Sequence, residues 1–244
     1  VNVGRVYARQ LCGYHCPVVV YPHVHGWIAR RSAGAAGDRP IAKELVHQRK
    51  TSTLREVYYS ARGQRDIEYN DQTESDNIIT DLEVALNRAR EEFNIFPAER
   101  SSIFGDLTIE YTVPGYEGRR TNLTDHPDGV MIGPAITSSE FLETTADKVL
   151  VIEKGAMFNR LVEERAHEKF NALLIQTAGQ SPRSTRAIIN RLHEDYDLPV
   201  YIFTDADPWG LHIAMVIISG SANAAHLRGL ATPDARWIGV LGSD

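Results

Sequence analysis

Cysteine is nearly absent, with two in 244 residues. Two thiols cannot build a disulfide framework for a chain of this size, and the sequence reads as one from a reducing, cytoplasmic compartment. Long apolar runs are also missing. The longest, around residues 18–21 and 213–218, fall far short of the roughly 20 residues that span a bilayer. No basic-then-apolar signal-peptide pattern opens the chain. There is no internal repeat, no low-complexity tract and no G-x-x-x-x-G-K-[ST] loop for nucleotide phosphates. What remains is ordinary globular stuff: 43% hydrophobic and 24% charged residues, enough to bury a core, at a length that suggests two domains.

The net charge of −6 hides an asymmetry. Residues 1–65 hold 11 Lys/Arg against 3 Asp/Glu, a net of +8. Residues 66–244 hold 15 against 29, a net of −14. Local patches, not the total, set attraction to phosphate, so a basic front is compatible with nucleic acid. The acidic remainder can supply metal-binding carboxylates, though an uneven solvated surface would read the same way.

Residues 1–38 form an atypical N-terminal segment that ends in the linker-like RRSAGAAGD. Cys12, His15, Cys16, His23 and His25 lie close together within it, but no paired C-x₂-C is present, so the spacing matches no common structural zinc pattern. From Pro40 the pattern becomes regular. Residues 41–48 and 53–62 look helical, with Ser52 or Thr53 as N-cap. Residues 71–89 form an amphipathic helix. Short β pieces follow at 93–96, 103–104 and 107–113, then a Pro114-Gly115 turn and a loop over 118–128. Helices followed by a small hairpin is the order of a winged-helix domain, shared by many small α+β domains. After Ala146 apolar strands (149–153, 172–177, 199–204, 237–241) alternate with helices (156–170, 183–196, 209–218). That alternation means a mostly parallel α/β sheet covered on both faces.

Two constellations carry chemistry. Ligands in an open α/β sheet sit at the carboxyl ends of the strands. Glu153 ends one strand there, and Asp205 and Asp207 end another. Three carboxylates make a hard oxygen site suited to Mg²⁺, although strand-end acids also serve as helix caps. The second constellation is TSTLREVYYS. On a helix Arg55 and Tyr59 share a face at i,i+4, with Tyr58 rotated away. A nearby guanidinium can offset phenolate charge and grip a phosphate; one tyrosine in the core and one on the surface is the plainer reading. Trp27, Trp209 and Trp237 read as packing or interface residues, and His212 and His226 as surface histidines.

The segments KTSTLREVYYSA, ESDNIITDLEV, ERSSIFGDLTIEYTVPGYEGRR, VLVIEKGAMFNRLVEE, TAGQSPRSTRAIINRL and YIFTDADPWGLHIA together resemble the A subunit of archaeal type IIB DNA topoisomerase, topoisomerase VI. They are also similar to its eukaryotic relative, the meiotic double-strand-break transesterase. The resemblance runs from about Pro40 to the C-terminus. It implies a winged-helix (CAP-like) domain over 39–135 and a C-terminally incomplete Toprim metal-binding domain over 136–244. It casts Tyr59 as nucleophile and Arg55 as its catalytic partner. It casts Glu153, Asp205 and Asp207 as the Mg²⁺ triad. Arg49, Lys50, Arg62, Arg119, Arg120 and Lys154 are then expected to contact DNA, with Arg65 nearby.

The implied activity is Mg²⁺-dependent cleavage and religation of double-stranded DNA through a 5′-phosphotyrosine link. ATP would be bound by a partner B subunit, in an A2B2 assembly built on an A-subunit homodimer without membrane, working in the cytoplasm at the nucleoid. A stand-alone DNA-breaking transesterase, a catalytically silent DNA-binding fragment and a Toprim nuclease or primase fragment are the alternatives. The motif TDADPWG has Ala206 and Trp209 where the family usually has Gly and Tyr.

Overall fold

The computed structural model describes residues 35–62, 71–98, 100–224, 227 and 229–241. The Cys/His cluster between Cys12 and His25, and Trp27, Arg65 and His226, lie outside the described residues. The chain divides between residues 98 and 99 into two compact units.

The first unit is mainly helical. It contains α1 (Ala35–Gln48), β1 (Ser52–Thr53), α2 (Leu54–Arg62), α3 (Gln72–Leu86), a 3₁₀ turn over Arg90–Phe93 and β2 (Ile95–Phe96). Helix α1 starts upstream of Pro40, so residues 35–38 are helical where the composition suggests a linker. The alanines at 35 and 36 favour helix, and the proline costs one backbone donor. Asp71 caps α3 by accepting from the Glu74 amide at 3.0 Å, and Asn87 in the left-handed region closes it. Strands β1 and β2 pair in parallel, Ser52 with Ile95 and Thr53 with Phe96. The core is Ala42, Val57, Ile79, Leu82, Phe93 and Ile95. A buried ion pair lies beside it: Arg90 Nη2 is 2.7 Å from Glu83 Oε2, while the Arg90 amide donates to Glu83 Oε1 at 2.9 Å.

The second unit holds β3 (Ser102–Phe104), β4 (Leu107–Glu110), β5 (Arg120–Asn122), β6 (Val130–Met131), α4 (Pro134–Ser138), β7 (Glu140–Thr144), β8 (Lys148–Ile152), α5 (Gly155–Glu163), α6 (Ala166–Lys169), β9 (Ala172–Gln176), α7 (Arg183–Tyr196), β10 (Val200–Phe203), α8 (Pro208–Ser219) and β11 (Arg236–Gly239). Its main sheet has the order β11-β10-β8-β9-β3-β6. The first four strands are parallel, and β3 and β6 extend the sheet antiparallel. Strands β8 and β9 read KVLVI and ALLIQ and are almost wholly buried, as strands covered on both faces require.

Several elements depart from the sequence expectation. Residues 120–122, expected in a loop, form β5 opposite β4. Strand β7 has no sequence counterpart because only Phe141 of its five residues is buried, leaving no apolar alternation to see. The single helix expected over 156–170 is two, broken where Arg165 adopts φ 55°. Strands β3 and β6, inside the segment assigned to a winged helix, belong to the main sheet, and the hairpin β4–β5 pairs with β7 in the same unit. The compact division therefore falls well before residue 135. The mostly parallel α/β sheet itself is as expected.

Asp106 ties the small sheet together. Its carboxylate accepts from Asn122 Nδ2 at 2.7 Å and from the Thr145 hydroxyl and amide, joining segments beside β4, β5 and β7. Those bonds, the Thr145 hydroxyl first, hold the Asp106 carboxyl below its ordinary pKa.

Candidate active site

In the helical unit, the start of α2 is set by a reciprocal cap. The Thr53 hydroxyl accepts from the Glu56 amide at 3.3 Å, and Glu56 Oε2 accepts from the Thr53 amide at 2.8 Å. This is the Thr-x-x-Glu box, and it fixes the rotation of the helix from its first turn. Val57, Tyr58 and Ala61 consequently face the core, while Arg55, Tyr59 and Arg62 lie exposed. Tyr59 is 55% exposed and Tyr58 only 9%. The Tyr58 hydroxyl accepts from Arg62 Nη1 at 3.2 Å. Arg55 lies over the face of Tyr59, its Cζ 5.9 Å from the ring centroid. The two tyrosine rings are 5.4 Å apart and tilted by 51°. Of the adjacent pair, the one that can reach an external phosphate is Tyr59.

Arg49 and Lys50, also in this unit, are exposed just after α1, with Arg49 at φ 53°. Arg62 is exposed but shares its guanidinium with Tyr58.

In the sheet unit, β8 and β10 are parallel neighbours, with Ile152 opposite Phe203. Their carboxyl ends bring Glu153 and Asp205 together: Glu153 Oε2 accepts from the Asp205 amide at 3.1 Å. Asp207 is the N-cap of α8, and its Oδ1 accepts from the Gly210 amide at 2.7 Å. It therefore performs the capping role that strand-end acids often have. Lys154 Nζ reaches Asp205 Oδ2 at 2.6 Å. Asp205 first, then the charges of Glu153 and Asp207, raise the lysine pKa above its ordinary value. Asp205 meets the ammonium directly, and Glu153 and Asp207 act on it through charge alone.

As a donor set the three acids fit a hard cation, which takes a few carboxylates plus water and phosphate. One oxygen of each carries none of the contacts just described. Among the described residues, however, no three His, Cys, Asp or Glu side chains close on one coordination point by themselves.

Sequence reasoning missed one feature here. Gly210 has no room for a side chain, since a Cβ would lie 2.2 Å from the Asp205 carbonyl oxygen. The G of TDADPWG was the available signal. Trp209, expected in packing or an interface, is 71% exposed within this unit and makes an edge contact with His212. Trp237 does pack, donating to Thr204 Oγ1 at 2.9 Å. Arg120 pairs with Glu110 at 2.7 Å and Arg119 lies over the Tyr116 ring at 4.8 Å, so both expected phosphate contacts have partners within the hairpin.

Residues 148–244 match the family of Toprim domains from the topoisomerase 6 A subunit and Spo11, and residues 40–95 match the family described as "Type IIB DNA topoisomerase". The type 2 DNA topoisomerase 6 A subunit of Methanothermobacter thermautotrophicus is 45% identical over 206 residues, 84% of this chain and 57% of the relative. The chain's two matched segments belong to the topoisomerase VI A-subunit family. The A subunits of Pyrococcus abyssi and Archaeoglobus fulgidus are 39% and 38% identical, covering 83% of this chain in each case and 53% and 57% of the relatives. The chain thus spans just over half the length of these topoisomerase VI A subunits. The Arg55–Tyr59 face lies in one matched segment, and Glu153, Asp205 and Asp207 lie in the Toprim segment.

Proposed function

We propose that this chain is the DNA-cleaving part of a type IIB topoisomerase, with Tyr59 as nucleophile. The observation that carries the reading is the exposure of Tyr59, with Arg55 over its ring, on a helix whose other tyrosine is buried. Tyr59 Oη attacks a backbone phosphorus. A phosphotyrosine bond forms to the 5′ side, the P–O3′ bond breaks, and the 3′ oxygen leaves with a proton. Reversal by the 3′-hydroxyl restores the strand. Arg55 pairs with a non-bridging phosphate oxygen and offsets the charge that accumulates there. Glu153, Asp205 and Asp207 would hold Mg²⁺, which would supply Lewis-acid chemistry to phosphoryl transfer when bound. Arg49, Lys50, Arg62, Arg119, Arg120 and Lys154 contribute positive charge along the duplex, the last four by exchanging their present partners for phosphate.

Helices α1–α3 are read as the helical part of the winged-helix domain. Double-strand cleavage and strand passage would require an A2B2 assembly, ATP being bound by the B subunit. The place of action would be the cytoplasm, at the nucleoid; among the described residues no helix is long and apolar enough to cross a membrane.

The test is covalent trapping. The full chain, supercoiled DNA, Mg²⁺, ATP and the B subunit of a family member are mixed and denatured, and DNA-linked protein is scored for wild type, Tyr58→Phe and Tyr59→Phe. We expect the 5′ link to disappear in Tyr59→Phe alone. Loss in Tyr58→Phe alone would reassign the nucleophile. DNA binding without any link in wild type would identify a catalytically silent fragment. A link that forms equally without ATP and the B subunit would favour the stand-alone transesterase.

A further inference from the structure

The ion pair between Lys154 and Asp205 has a use beyond charge neutralisation. Lys154 is the N-cap residue of α5, directly after Glu153, and its backbone is held at the mouth of the sheet. Its side chain crosses from the end of β8 to the end of β10, placing Nζ 2.6 Å from Asp205 Oδ2. On the far side the Asp205 amide is already engaged by Glu153. A divalent ion shared by Glu153 and Asp205 would need the same region and the same field. A lysine ammonium is a compact point charge on a flexible four-carbon stem, so it can leave without any backbone change.

We propose that Lys154 is an internal counter-ion that occupies the metal position of the Toprim carboxylates and is exchanged for the divalent ion. This inference rests on the metal-binding reading given above. In the metal-free protein the ammonium lowers the repulsion among three acids and keeps Asp205 in place. Entry of a divalent ion breaks the Lys154–Asp205 contact. The released ammonium then has its charge unpaired and can meet a phosphate. Metal binding and phosphate binding are thereby linked: each favours the state in which the lysine has left Asp205.

The test uses the full chain, without DNA, titrated with Mn²⁺ and read by electron paramagnetic resonance of the free ion. Wild type, Lys154→Gln, Asp205→Asn and the double variant are compared, with circular dichroism to establish that each is folded. The pair is exposed, so we expect Lys154→Gln to bind Mn²⁺ about fivefold more tightly. The same substitution in the Asp205→Asn background should give a clearly smaller gain, because the contact it removes is already gone and only the charges of Glu153 and Asp207 remain. An unchanged or weaker affinity in Lys154→Gln would overturn the exchange while leaving the metal site standing. An equal gain in both backgrounds would also overturn it, since the lysine would then act only as a distant charge. Absence of Mn²⁺ binding in both wild type and Lys154→Gln would overturn the metal reading itself, and the exchange with it.

Discussion

Arg62 donates from Nη1 to the hydroxyl of Tyr58 at 3.2 Å, one helical turn back, and so anchors the tyrosine that faces the core. The neighbouring Tyr59 points away from that core. The pair divides structure and chemistry between adjacent residues. Tyr58→Phe should lower stability by about 1 kcal/mol through loss of one hydrogen bond and leave covalent trapping intact. Tyr59→Phe should leave the denaturation midpoint within about 0.5 kcal/mol of wild type, as expected for an exposed site, and abolish trapping. Urea denaturation alongside the trapping gel reads both.

Thr53→Ala should destabilise the helical unit by about 1 kcal/mol, since the box that starts α2 loses its hydroxyl. The Glu56 carboxylate is held below its ordinary pKa chiefly by the Thr53 amide. A lowered folded pKa gives stability that is present above the unfolded value and lost as pH falls through the folded one. Stability of wild type relative to Glu56→Gln should therefore shrink on acidification below about pH 4.5, as followed by urea midpoints at stepped pH.

Asp106 obeys the same sign. Its carboxyl is lowered by Thr145 and Asn122, so its contribution is full at neutral pH and fades as pH drops below about 4. Asp106→Asn should cost more stability at pH 7 than at pH 3. The difference between the two thermal unfolding curves at each pH is the measurement, and an equal cost at both would remove the carboxylate from the account.

Gly210→Ala should be more damaging than its size suggests. The added methyl would meet the Asp205 carbonyl oxygen, a backbone atom that cannot swing aside. Relief requires moving the 205–207 turn, with a cost of about 1–3 kcal/mol and weaker Mn²⁺ binding. Ala206→Gly, at an exposed position in the same turn, is the control and should leave both unchanged.

The legible parts of the sequence were those with a strong local signature. β8, β9 and β10 are continuous apolar runs, and the strand-end positions of Glu153 and Asp205 follow from where those runs stop. The i,i+4 spacing of Arg55 and Tyr59 was likewise readable. Which tyrosine of the pair is buried was not, because it depends on contacts of Tyr58 with Ile41 and Ile78 from other helices. Nor was the sheet membership of β3 and β6, short strands paired across long sequence separations. The Lys154–Asp205 contact joins the ends of two strands far apart in the chain, and nothing local to either residue announces it.

Glu153 accepts the Asp205 amide, and this makes it a scaffold member as well as a charge. Alanine at 153 would remove the acceptor along with the negative charge and let the β10 terminus drift. Glutamine keeps a carbonyl oxygen at the same reach and removes only the charge. The amide substitution is therefore the informative one: activity lost in Glu153→Gln, with the turn at 205 still in place, would report on electrostatics alone.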